Sequence, residues 1–407
     1  MHLRTQAALL ACAALAAVSS AGPVLAADGS PALSHIAAAQ PLAWSIVPSP
    51  NRAVNGRTHG SLLYGVSCPS ASFCTAVGYA ANGGPKTLAE TWNGTAWSIV
   101  PSPNRLPVGR LDGVSCISAS ACTAVGVSLP SKTSTRYRTL IETWNGTAWS
   151  LVPSPNPATG QGSDGLSAIS CVSASACTAV GSYKRPSGQS RPLIESWNGS
   201  TWTVVPSPHP GSGSALNGVS CTAADNCSAV GGYASAGIPS RTLVESWNGT
   251  TWSVVPSPAK GNRGNSSLAG VSCISASACT AVGTYYGNIA FRTLVETWNG
   301  TTWSVVPSPD VGPRRTEQNL ESVSCASASA CTAVGSNILA YPLVEAWDGT
   351  QWSIVPTPRI PGSGLAVGDL SSVSCPSATM CMAAGSRDRN ERQNRWRTLT
   401  EMGVSSG

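Results

Sequence analysis

Charge is scarce in this 407-residue chain, where Asp, Glu, Lys and Arg together make up 10% of the residues. No stretch sustains a helical period, which excludes helix bundles and sheets joined by helical crossovers. Histidine occurs four times, and only His35, His59 and His209 lie beyond the first 26 residues, none at ligand spacing. A zinc site built on cysteine and histidine is thereby excluded. The longest apolar run, from Ala7 to Val18, is too short to span a bilayer. That run follows Met1-His2-Leu3-Arg4 and precedes Val24-Leu25-Ala26, the order of a secretory signal, so residues 1–26 are expected to be a signal peptide. Residues 27–41, rich in Ala, Ser and Pro without periodicity, are expected to be a disordered linker.

What the chain has in quantity is glycine (41), proline (30), tryptophan (14) and cysteine (15), the composition of an all-β body with many turns. These residues fall into one pattern, shown by Leu111 to Pro155, that returns seven times after residue 41. Four short strands separate within it: Leu111 to Cys116, Cys122 to Val127, Arg138 to Trp144, and Trp149 to Val152, the last closed by Pro153 and Pro155, which cannot donate to a ladder. Asn145-Gly146 reads as a two-residue type I′ turn, which pairs Trp144 with Thr147 and Glu142 with Trp149 and places both indoles on one face. Four strands, apolar on both faces and repeated every 40 to 50 residues or so, make a propeller blade.

Fourteen of the cysteines form seven Cys-x5-Cys pairs: Cys68 with Cys74, Cys116 with Cys122, Cys171 with Cys177, Cys221 with Cys227, Cys273 with Cys279, Cys325 with Cys331, and Cys375 with Cys381. In an exported chain one repeated spacing argues for local disulfides, each worth roughly 2 kcal/mol in the chain-entropy treatment of so small a loop. Cys12 lies in the signal region and is set aside.

The ends show how the ring shuts. Trp44 to Pro50 is a fourth strand with no first three before it, and the last unit stops after Thr398-Leu399-Thr400-Glu401 without a fourth. The expected fold is an all-β, seven-bladed propeller over residues 42–403, four antiparallel strands per blade, with blades starting at 61, 111, 166, 216, 268, 320 and 370. The strand at 44–50 completes the seventh blade and removes the exposed edges. An open solenoid is the alternative.

The pattern VSC-x5-C-x-AVG…TL-x-E-x-WNGT-x-WS-x-VPSP resembles the secreted Cys/Trp-rich propeller repeats of actinobacteria. A fainter likeness, Gly249-Thr250-Thr251-Trp252 and Gly300-Thr301-Thr302-Trp303, is to the tail of the Asp-box of sialidase-type propellers. Trp247 and Trp298 stand where that box has its aspartate, so the likeness implies no sialidase activity.

Groups present once per blade are expected to hold the ring together. Glu90, Glu142, Glu195, Glu245, Glu296, Glu345 and Glu401 share one repeat position, and six have a Lys or Arg four residues earlier, so these Arg and Glu side chains are expected to bridge neighbouring blades. The Trp149 series is expected to pack between blades, and tryptophans so placed are also potential sugar platforms. Asn-Gly-Thr/Ser sequons at Asn93, Asn145, Asn198, Asn248 and Asn299 become Asp348-Gly349-Thr350 in the sixth unit, which keeps the turn and loses the sequon.

Recognition is then expected on the rim carrying the long, variable connections. All Lys and Arg outside the signal region, 23 of the 24, lie in or beside those connections. The densest segment, SRDRNERQNRWR, offers Arg387, Arg389, Arg392 and Arg395 around Trp396, and Arg136, Tyr137, Arg314 and Arg315 extend it as candidate ligand-binding residues. The expected protein is secreted, monomeric and non-catalytic, needs no metal or cofactor, and binds an anionic glycan or cell-envelope polymer. A glycosidase or lyase at the channel mouth is the alternative, with Asp112, Asp164, Asp310, Glu321 and Asp369 as its possible acids; an extracellular protein scaffold is another. Thiol titration of the unfolded protein, freed of residues 1–26, should find no reactive cysteine; fourteen would dismiss the disulfides.

Overall fold

The computed structural model describes residues 42–405 except 52, 55–56, 59, 82–84, 104–107, 132, 158–161, 236–237, 259, 261–264, 313–315, 338–340, 361–366 and 389–395. The expected signal peptide and linker lie outside the described residues. Seven four-stranded antiparallel sheets form the propeller, and no helix occurs among the described residues. In the second blade the strands run Val108–Ser118, Ala121–Leu129, Arg138–Trp144 and Trp149–Val152, innermost to outermost. The ring closes as the ends require: Ala43–Val47 is the outer strand of the seventh blade and pairs with Trp396–Val404, Trp44 opposite Gly403. A small ladder, Ala53–Val54 with Arg57–Thr58, follows it.

Seven disulfides join the expected pairs and clip the first hairpin of every blade: Cys68 to Cys74, Cys116 to Cys122, Cys171 to Cys177, Cys221 to Cys227, Cys273 to Cys279, Cys325 to Cys331, and Cys375 to Cys381. The two halves of each bridge differ in role. The second cysteine (Cys74, Cys122, Cys177, Cys227, Cys279, Cys331 and Cys381) is buried and belongs to the apolar packing of its blade, whereas all the first ones except Cys68 are half-exposed. These residues are structural staples and not ligand groups, because a sulfur held in a bridge has neither thiolate character nor a proton to give. Such bonds belong to an oxidising environment. No described helix is long and apolar enough to cross a membrane.

The hairpin between the third and fourth strands differs from the two-residue turn. Trp144 pairs with Trp149 and Glu142 with Leu151, so the loop has four residues, Asn145 to Ala148. The Asn145 Oδ1 decides this, accepting from the Thr147 amide (3.0 Å), the Ala148 amide (2.9 Å) and the Thr147 hydroxyl (2.8 Å), with Gly146 at φ +94°. Side-chain capping outcompetes the tight type I′ turn. Because the register moves by two residues, each side chain keeps its face.

There is no single core. Each apolar cluster spans two blades: Val77 and Ala89 of the first pack with Leu111, Val114, Leu140 and Trp149 of the second, and the arrangement recurs around the ring. Burying one such indole contributes on the order of 3 kcal/mol. Polar seams flank the clusters. Next to the channel, the Ser hydroxyl of every Val/Ile-Ser-Cys motif accepts from the Cys amide of the following blade: Ser67 from Cys116, Ser115 from Cys171, Ser170 from Cys221, and so to Ser374 from Cys68, at 2.9–3.0 Å.

Further out, the repeated glutamates are buried and do not pair with the arginines four residues before them. They are instead met by the Ser of the preceding blade's Val-Pro-Ser-Pro: Ser102 donates to Glu142 (2.7 Å), Ser154 to Glu195 (2.8 Å), and Ser49 of the closing strand to Glu90 (2.6 Å). The glutamates therefore bridge to the preceding blade through serine, and Arg138 bridges to Asp164 of the third blade at 3.2 Å. The seam fails once. Thr357 replaces serine before the seventh blade, and neither oxygen of Glu401 has a partner among the described residues.

Burial pushes these carboxyls up, to about 7 for Glu142, Glu245, Glu296 and Glu345 and about 8 for Glu90, Glu195 and Glu401. Between pH 4.5 and 8 the native ring keeps protons that the unfolded chain has released, so stability is greatest in acid and is lost as pH rises through 7 to 8. The melting temperature should fall from about pH 5 to about pH 9, and Glu90→Gln with Glu195→Gln should flatten that fall. A melting temperature that instead rises over this interval would dismiss the protonated seam.

Candidate functional site

Each blade's innermost strand carries a one-residue β-bulge at one place, after the Leu that opens the motif: Leu111 faces Gly126 and Gly113 faces Val125, leaving Asp112 as the extra residue. The bulge dictates the repeated glycine of Ala-Val-Gly, since a Cβ on Gly126 would overlap the Arg110 carbonyl. It also aims the extra side chain at the central channel, a cavity of ≈ 220 Å³ lined by all seven innermost strands. At that position the blades carry Tyr64, Asp112, Ser167, Asn217, Ala269, Glu321 and Ser371, all different except the serines. In a ring of repeated parts this is the position that the repeat leaves free.

The channel wall is built around two charged groupings. On one side Arg110 Nε lies 2.6 Å from Asp112 Oδ1, its guanidinium carbon 5.4 Å from the centre of the Tyr64 ring, and Tyr64 stacks on Tyr79 at 5.9 Å. Burial pushes the Asp112 carboxyl up and Arg110 pulls it back; burial also carries the Tyr64 phenol to about 12. For Arg110 burial opposes the charge, but Asp112 and the Tyr64 and Tyr137 phenols outweigh it and hold the proton more firmly. On the other side Asn319 donates to Glu321, and Asp369 accepts from Ser371 at 3.1 Å and Ser386 at 2.5 Å. Burial pushes Glu321 up, the Asn319 bond opposes it, and the Asp369 charge pushes in the same direction as burial.

Of the five candidate acids, Asp112 and Glu321 line the channel, with Asp369 beside Glu321. Asp164 is buried against Arg138 at 3.2 Å, and Asp310 lies 3.4 Å from Arg292, so those two are ion-pair partners of the loop rim. Of the candidate ligand residues, Arg389, Arg392, Arg395, Arg314 and Arg315 lie outside the described residues. Arg387 and Trp396 sit half-buried in the seventh blade, Arg387 opposite Arg397 and Trp396 opposite Asp388, with Trp396 beside Gly60 of the first blade. Arg136 is half-buried and Tyr137 exposed on the second blade, so the two groups share a rim and are separated by the first blade. The channel grouping was readable in the sequence: between Leu and Val-Ser-Cys, the residue after Leu changes from repeat to repeat while its surroundings do not. In Arg110→Ala the Asp112 carboxyl should titrate higher than in the parent, because the opposing cation is gone while burial stays; carboxyl NMR against pH reads this, and an unchanged titration would refute the pairing.

No family model and no curated protein sequence matches the chain. Solved structures share its fold. A structure of YCF48 bound to D1 peptide is similar at a TM-score of 0.53 and 12% identity, over 90% of this chain and 96% of that one. YCF48 from Cyanidioschyzon merolae gives 0.51 and 14% identity over 89% and 98% of the two chains. A chain of the mitotic checkpoint complex gives 0.52 and 9% identity over 90% and 96%. At these identities the likeness establishes the propeller architecture alone.

Proposed function

We propose that this protein is a secreted, non-catalytic binding propeller of the Cys/Trp-rich repeat type, whose loop rim recognises an anionic extracellular or cell-envelope polymer. The observation that carries it is the separation of charge between the two rims. The strand order puts cystine loops and Asn-Gly turns on one rim, where the charged residues are Asp225 and Asp348 and no Lys or Arg occurs. The long connections bring the cations to the other rim, among them Lys184, Arg185, Arg241 and Arg359, all exposed. Asp112, Asp164 and Asp310 pair with Arg110, Arg138 and Arg292, and in the sequence the cations of these connections outnumber the acids, which gives that rim a positive field. Arginine suits such a partner because its planar fork grips phosphate or carboxylate through two bonds. The fold neighbour YCF48, bound to a peptide, supports the propeller as a recognition scaffold without fixing the ligand.

Polyphosphate and polygalacturonate, with neutral dextran as control, test the assignment. Binding to the polyanions should weaken at least tenfold as ionic strength rises from about 0.01 M to about 0.15 M, where the Debye length shrinks from about 30 Å to about 8 Å. Replacing Arg387, Arg389, Arg392 and Arg395 together by Ser should lower affinity by a similar factor. Retention that ignores both salt and the quadruple variant would sink the basic-rim assignment. Release of reducing ends, abolished by Glu321→Gln, would replace it with polysaccharide cleavage at the channel mouth.

A further inference from the structure

The opposite rim is not featureless. Between the fifth and sixth blades a cleft of ≈ 220 Å³ is lined by Ile274, Cys279 and Trp298 on one side and by Ser327, Trp347 and Trp352 on the other. Its counterpart between the second and third blades, ≈ 160 Å³, has Trp144 facing Ser173, Trp197 and Trp202. Neither lining includes a charged residue, and each mixes indoles with serine and threonine hydroxyls. Volumes below the 300 Å³ or so at which drug-sized ligands are enclosed leave room for one six-membered ring, not for an extended chain.

The indoles are preorganised. Trp298 Nε1 donates to the Ala276 carbonyl at 3.1 Å and Trp144 Nε1 to the Ala119 carbonyl at 3.1 Å, which fixes both rings while each stays half-exposed. On the facing wall the indole N–H groups of Trp202 and Trp352, in residues only 7% and 6% exposed, have no acceptor among the described residues. A fixed aromatic wall with hydroxyls along the rim is complementary to a ligand with an apolar face and hydroxyl edges. The cleft between the sixth and seventh blades departs from this plan. Gly403 stands where the other blades have a tryptophan, and Leu42 and Asp348 enter the lining.

We infer that the clefts between successive blades on the cystine rim are repeated binding sites for neutral sugars, one pyranose ring to a cleft. This surface lies at the other end of the ring from the cations and needs no charge, so it stands or falls independently of the polyanion assignment. Repetition gives it its use, since several weak sites on one rigid ring engage a multivalent glycan far more tightly than one site does.

The test uses the full chain with glucose, N-acetylglucosamine and methyl rhamnoside as probes, in about 1 M salt, where the Debye length is about 3 Å and the cationic rim is silenced. Tryptophan fluorescence and saturation-transfer NMR should show saturable binding of at least one probe, and equilibrium dialysis more than one equivalent per chain. Trp144→Ala with Trp298→Ala should lower that stoichiometry, whereas the quadruple arginine variant should leave it unchanged. Ser327→Leu, which fills one cleft without removing an indole, should remove one site and keeps the test open if the tryptophan variant fails to fold. No saturable binding of any probe, a single equivalent, or a stoichiometry indifferent to the Ser327 change would overturn the inference, whatever happens with polyanions.

Discussion

The blade-to-blade hydrogen bond is the constraint on which the rest of the structure depends. A four-stranded blade cannot bury both faces by itself, and the apolar clusters accordingly lie between blades. Hydrophobic contact alone would let neighbouring sheets slide. The serine of Val-Ser-Cys stops this by accepting the amide of the next blade's cysteine, and the serine of Val-Pro-Ser-Pro does so again by donating to the next blade's glutamate. Both are directional, both recur around the ring, and together they fix each blade at two radii.

This arrangement explains residues that invite catalytic readings. A buried carboxylate with a raised proton affinity is the usual mark of a general acid. Here it recurs in every blade and accepts from a serine hydroxyl in all but one, so its raised proton affinity follows from burial in the seam. The one imperfect seam, where Thr357 stands in place of serine and Glu401 lacks a partner among the described residues, lies between the sixth and seventh blades, while the seam from the closing segment to the first blade, Ser49 to Glu90, is intact.

With the wheel held by repeated groups, individuality is confined to three places: the loop rim, the channel-facing bulge residues and the clefts of the cystine rim. They differ in chemistry. The loop rim gathers the cations, the channel mixes Asp112, Glu321 and Asp369 with Arg110 and Tyr64, and the clefts described between the second and third and between the fifth and sixth blades are aromatic and uncharged.

What could be read along the chain follows from the range of each interaction. Alternation, Cys-x5-Cys spacing and the unmatched strands at the two ends are local or countable, so they were enough to specify the blade, the number of blades, the disulfides and the closure by Trp44 to Pro50. The charge of the loop rim was readable for the same reason, since strand order assigns every connection to one end. The turn at Asn145 escaped that reading because a side-chain oxygen competing for two amides has no trace in hydrophobic alternation. Folding in three dimensions was needed to bring Glu142 to Ser102 and not to an arginine, to hold Asp164 against Arg138, and to place Asp112 and Glu321 in one channel. Those contacts join residues about 26 to 210 positions apart, brought together by the angle between blades, which no pattern within a single repeat encodes.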